Sequence, residues 1–228
     1  MAFFSESLQS AIQLIIQFDR DVYWVVWTSL KISIIASLIA ALIAIPTGLF
    51  IALNQFPGKK AVKNLLNTLM AMPTVVIGLL FYGLLSRQGL LGNLGLLYTP
   101  TAVILGEVFL IVPIMTNLIR VAVQTADPRL MQTLQSLGAD KFQQQVLVLK
   151  ETRDAVLSAV VAGFGRAIGE VGAAMMLGGN IQGLTRTMTT TIALETSKGE
   201  FELALALGIL LLLIALLVNF TLQYLQPD

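Results

Sequence analysis

Apolar residues run through this chain in five long blocks, and the polar residues between them are few and clustered. As spans the blocks cover 24–53, 61–86, 101–123, 155–179 and 201–224. Each is longer than the roughly 20 residues an α-helix needs to cross a bilayer core. Ahead of them Phe4, Leu8, Ile12 and Ile15 recur at helical spacing among Ser, Gln and Glu6, which predicts an interfacial helix within residues 1–21. The start of the chain has no cluster of positive charge and no A-x-A site after an apolar core, which argues against a signal peptide. Trp24 and Trp27 suit an interfacial belt, and Lys31 is close enough to that end to snorkel. Pro46, Pro73 and Pro113 fall inside spans, where each frees a carbonyl and bends the helix, as a static kink or as a hinge.

The longest polar interruption, residues 125–154, has an internal design. Asp127-Pro128 is a helix start, since Asp accepts from free backbone N–H groups and Pro has none to leave unpaired. Gly138 stops that helix, and Asp140 with Gln143 three residues on forms a second capping pattern. Phe142, Val146 and Leu149 then share one helical face. Two short helices meeting at a glycine make a stiff hook, and a stiff hook between two membrane helices can serve as a lever.

The basic residues orient the chain. Lys59, Lys60, Lys63, Arg120, Arg129, Lys141, Lys150 and Arg153 fall on one side of a five-span arrangement, and Arg20, Arg87, Arg186 and Lys198 on the other. That eight-to-four split puts the hook and the Pro57-Gly58 turn in the cytoplasm, the N-terminus outside and the C-terminus inside. Residues 89–100 and a polar loop at 180–199 then face outward.

Composition sharpens the class. The mean hydropathy is +0.83, 56% of the 228 residues are hydrophobic and only 12% are charged, the signature of an integral membrane protein. A net charge of +1 carried by scattered Lys and Arg argues against nucleic acid as a partner. The chain has no cysteine and no histidine, which removes thiolate metal sites, His-dependent triads and His proton relays. It has no Gly-x4-Gly-Lys-Ser/Thr loop, so ATP hydrolysis is not expected of this chain.

Two groups could carry chemistry within the membrane. Gly165-x3-Gly169 has the spacing that lets helix backbones approach closely, and Arg166 and Glu170 lie four residues apart on one face of the same span. The charged pair is either a structural lock or part of a polar route through the bundle. Glu107, in the outer half of the third span, poses the same choice. In the outer loop, Thr185, Thr187 and Thr189 to Thr191 surround Arg186 with hydroxyls. They are either donors for a tetrahedral oxyanion or a helix cap.

The hook resembles the cytoplasmic loop of the permease subunits of binding-protein-dependent ABC importers, with the pattern Glu-Ala-Ala-x3-Gly-x9-Ile-x-Leu-Pro. The corresponding residues are Gln132-Thr133-Leu134, Gly138, Val148 and Lys150-Glu151, with Ser136-Leu137-Gly138-Ala139 the best-matched stretch. Gln132 stands where the family has an acidic residue, and Lys150-Glu151 where it has Leu-Pro. Gly165 to Ala174, Gly178 to Ile181 and Thr185 to Thr187 resemble the oxyanion branch of that family, the molybdate, tungstate and sulfate permeases. Residues 192–201 are most similar to the tungstate type.

The resemblance implies an all-α bundle of about five spans with the type I importer permease fold, residues 1–228 forming one transmembrane domain. It implies a homodimer in the inner membrane, cytoplasmic ABC ATPase subunits that use ATP and Mg, and an extracytoplasmic oxyanion-binding protein. No cofactor is expected on this chain. Gln132, Ser136, Leu137, Gly138, Ala139, Asp140 and Phe142 would couple to the ATPase, and Arg166, Gly169, Glu170, Thr185, Arg186 and Thr187 would line or gate the path. Two further classes compete. An ATP-independent secondary transporter or channel would need no capped hook, and a membrane-embedded enzyme would rest on Arg166 and Glu170 alone.

Overall fold

The computed structural model describes residues 2–225, with side chains for 5–224 apart from Pro128. Among these are eleven α-helices, one 3-10 turn at Gly92–Leu94, and no strand. Three helices are long and apolar enough to cross a membrane alone: α2 (Arg20–Leu53), α5 (Pro100–Thr125) and α11 (Phe201–Leu225). The other two apolar blocks fold as bent helix pairs. Helices α3 (Lys59–Met70) and α4 (Thr74–Leu85) meet at 98°, and α8 (Arg153–Ile168) and α9 (Gly172–Gly178) at 60°. The second block thus breaks at Pro73, where the sequence predicts a bend, and the fourth, read as continuous, breaks at 169–171. Pro73 sits at the first corner, immediately before α4, where its ring and missing N–H forbid continuation of α3.

The helix ends follow their sequence signals. Asp19 caps α2 by accepting from the amides of Asp21 at 3.0 Å and Val22 at 3.1 Å. Thr99 hydrogen-bonds the Ala102 amide, with Pro100 at the first position of α5. Pro46 and Pro113 are accommodated within unbroken α2 and α5. Trp24 and Trp27 are both exposed near the start of α2, as an interfacial belt requires.

The core forms where α2 and α5 lie against each other and against α8. Ala36, Ala40 and Ala44 are fully buried one turn apart on α2, facing a core that includes Ile111, Met115 and Ile119 of α5. Gly48 continues the row. A Cβ there would meet Ile119 Cγ2 at 2.9 Å and the Thr116 carbonyl at 3.1 Å. Without a hydrophobic drive between helices in lipid, such small residues let dispersion contacts accumulate along the whole interface. By contrast, the Cβ position of Gly165 opens onto empty space, so in this chain Gly165-x3-Gly169 is not the close-packed pair expected from its spacing. Gly163 fills that role instead, directly beneath Met115.

Helix α1 (Ala2–Ile16) packs on α11 through the face carrying Ser7, Ala11 and Leu14. The expected apolar stripe is rotated from that contact: Ile12 is exposed, Leu8 and Ile15 are half-buried, and the Phe4 side chain lies outside the described residues. The stripe is therefore only partly turned away from the contact, which Ser7, Ala11 and Leu14 make.

Candidate functional site

The hook folds as two helices, α6 (Pro128–Ser136) and α7 (Lys141–Glu151), joined at Gly138. Asp127 accepts from the Arg129 amide at 2.9 Å and pairs with the Arg129 guanidinium at 3.1 Å. Asp140 and Gln143 form a reciprocal capping box, the Gln143 amide donating to Asp140 at 2.7 Å and the Asp140 amide to Gln143 at 2.9 Å. Gly138 has φ of +73° with open space around its Cβ position, so the backbone conformation and not crowding requires glycine.

Leu134 and Val148 anchor the hook in the main core, and Leu130, Met131, Ala139 and Leu149 pack behind them. On the predicted Phe142, Val146, Leu149 face, only the latter two turn toward the body. Leu137 and Phe142 project from the tip at 78% and 73% exposure. Gln132 and Ser136 are also exposed, tied together by a 2.9 Å bond from the Ser136 hydroxyl to the Gln132 carbonyl. The result is a rigid prong with two apolar side chains at its end.

The charged pair lies at the other break. Arg166, in the last turn of α8, donates to Glu170 at 2.9 Å, while the second oxygen of that carboxylate accepts from the Ala173 amide in the first turn of α9 at 3.0 Å. Both placements match the helix dipoles, a cation at a C-terminus and an anion at an N-terminus. Glu170 is buried, whereas the Arg166 side chain is 38% exposed, so the pair presents its positive side outward. Gly169 occupies the corner between them.

Where α9 begins it touches the start of α4. Cβ atoms at Gly172 or Gly78 would press on Thr74 and Val75, or on Met176 and the Ala173 backbone, respectively. The two helix breaks therefore abut. Irregular backbone within a membrane is tolerated only where protein buries it or where it lines a polar cavity. Glu107, on α5, is buried, with its Oε2 atom lacking a hydrogen-bond partner among the described residues.

The segment 180–199, expected as a solvated loop, contains helix α10 (Met188–Lys198), and Thr185, Thr187 and Thr189 to Thr191 are buried. Thr185 donates to the Gly178 carbonyl at 2.6 Å and accepts from the Ile181 amide at 3.0 Å. Thr187 and Thr190 form a capping box. Thr189 donates to the Glu170 carbonyl at 2.6 Å and Thr191 to the Thr187 carbonyl at 2.6 Å. Each of these five hydroxyls thus has a partner inside the chain. Arg186 remains half-exposed, with a single contact to the Asn180 carbonyl at 3.4 Å and no carboxylate partner among the described residues.

The protein-family model described as "Binding-protein-dependent transport system inner membrane component" matches residues 44–228. The tungstate uptake system permease protein TupB of Peptoclostridium acidaminophilum is 37% identical over 228 residues, all of both chains. TupB of Campylobacter jejuni is 35% identical over 221 residues, 97% of this chain and 92% of that one. The fold matches that of a bacterial alginate ABC transporter crystallised in complex with its alginate pentasaccharide-bound periplasmic protein. The TM-score is 0.76 at 19% identity, over 98% of this chain and 87% of the other.

Proposed function

The chain belongs to the family of binding-protein-dependent transport system inner membrane components, and on that premise we propose that it imports an oxyanion, tungstate before molybdate or sulfate. The observation that carries the choice of substrate is the end-to-end similarity to two tungstate uptake permeases. In this reading two copies enclose the path, an extracytoplasmic binding protein delivers the anion, and two cytoplasmic ATPase subunits supply the energy.

The hook supports the coupling step. Leu137 and Phe142 seat in a groove of the ATPase, the caps at Asp127 and Asp140 keep both helices stiff, and the anchors Leu134 and Val148 pass the displacement to α8. Closure of the ATPase pair would then move rigid bodies and switch the path between its two openings. Along the path, Arg166 offers a positive charge beside the Gly169 corner. Glu170 holds that arginine in place, and Thr185 and Thr187 fix the segment that displays Arg186 to the incoming anion.

Co-purification tests the coupling. The chain should retain its ATPase on capture from its native membrane, and a Leu137→Ser, Phe142→Ser variant that inserts normally should lose it. Equal recovery of ATPase with the variant would overturn the role assigned to the hook.

A further inference from the structure

An open cleft of about 770 Å³ lies where the α2–α3 turn meets the end of α5, lined by Ala52, Gln55, Phe56, Gly58, Lys59, Lys60, Lys63 and Gln124. Its charge is of one sign. Lys59 is held in place by the Ala52 and Asn54 carbonyls at 3.3 and 2.8 Å, and the charges of Lys63 and Arg120 both reach it. Arg120 is positioned by the amide side chains of Asn117 and Gln124 at 2.6 to 3.0 Å. Among the described residues the side chains of Lys60 and Lys63 donate to no protein group, and none of the four cations pairs with a carboxylate.

Backbone donors converge on the same place. Gly58, the residue before helix α3, has φ of +87° and no side chain to cap it, and the amides of Lys60 and Ala61 have no acceptor among the described residues. Orienting cations is sufficient to set topology only in number; gathering four of them around an uncapped helix start and a cavity costs mutual repulsion that topology does not require. Phe56, in the cleft wall, stacks at 5.6 Å on Phe50, which is exposed on the apolar surface of α2.

We propose that this cleft is a binding site for a phosphate-type oxyanion, held by Lys60, Lys63 and the first-turn amides of α3. The geometry does not depend on the transport reading. A lipid phosphodiester and a free inorganic anion share this chemistry, and Lys59, already engaged with two carbonyls, shapes the site without being needed as a ligand.

The test uses the full chain in nanodiscs and measures binding, so that its outcome is separate from that of any transport assay. One arm uses discs of phosphatidylcholine with a small fraction of phosphatidylglycerol and counts the anionic lipid retained per chain by native mass spectrometry. The other uses phosphatidylcholine alone and titrates inorganic phosphate by calorimetry. Saturable binding near one per chain in either arm is expected, weakening as salt is raised and falling about tenfold or more in a Lys60→Gln, Lys63→Gln variant. A Lys60→Arg, Lys63→Arg variant should restore it. Retained phosphatidylglycerol would identify the occupant as lipid, and phosphate binding a soluble anion. Absence of binding in both arms, or binding that survives the glutamine variant unchanged, would overturn the proposal.

Discussion

At Gly138 the backbone sits at φ +73°, where a Cβ is strained by about 1 kcal/mol although nothing crowds the site. A Gly138→Ala variant should therefore lower the thermal midpoint by a few degrees at most. It should nevertheless reduce ATPase coupling more than stability, because the angle between α6 and α7 is set at this residue. Comparing unfolding and ATPase stimulation in one preparation checks both. At Glu170 the balance reverses. Removing the carboxylate in Glu170→Ala leaves the buried Ala173 amide without its acceptor and frees Arg166, a loss of about 1–3 kcal/mol. In Glu170→Gln an amide oxygen still accepts from Ala173, so the midpoint should fall by less than half as much. Equal losses in the two variants would show that the negative charge itself holds the corner.

The legibility of these residues followed the range of the forces on them. Asp127, Gly138 and Asp140 act on backbone groups within three residues, so the sequence alone places both hook helices and the glycine between them. Thr189 and Met188 do not work that way. The Thr189 hydroxyl donates to the Glu170 carbonyl, 19 positions back, and the Met188 amide to the Ser29 hydroxyl, 159 positions away. Only the tertiary fold makes those contacts, and with them the buried helix α10 where a solvated loop is the local expectation. Arg186 keeps its expected exposure because no such partner reaches it.

Among the elements, the continuous spans were legible because a long apolar block is sufficient to define them. The bend at Pro73 was legible as a proline within a block, though its 98° size was not, and the corner at 169–171 holds no proline to mark a change of direction. What sustains the corners is contact between α4 and α9 through Gly78 and Gly172. The row Ala36, Ala40, Ala44 and Gly48 is the missed signal for the main helix contact, since four small residues at four-residue spacing mark one face of α2. Enlarging that face should disrupt it. Ala40→Leu is expected to cost about 1–3 kcal/mol by overpacking against α5, while Leu42→Ala, on the exposed opposite side, should stay within about 0.5 kcal/mol. Thermal unfolding in detergent measures the contrast.

At the scale of the whole molecule, three continuous spans and two bent helix pairs form a frame whose breaks meet inside it and whose hook projects at one end. The chain has no cysteine, so single thiols can report its orientation without background. With an impermeant reagent applied from outside, Leu90→Cys should label and Leu137→Cys should not, both positions being exposed in the fold. The reverse pattern would invert the proposed topology and remove the hook from the ATPase. The account as a whole is tested most directly by uptake of labelled tungstate into proteoliposomes holding this chain with its ATPase inside and its binding protein outside. It predicts accumulation that requires enclosed ATP and the binding protein and that falls to background in the Leu137→Ser, Phe142→Ser variant. Equal accumulation without the ATPase would contradict it and make the chain an ATP-independent transporter.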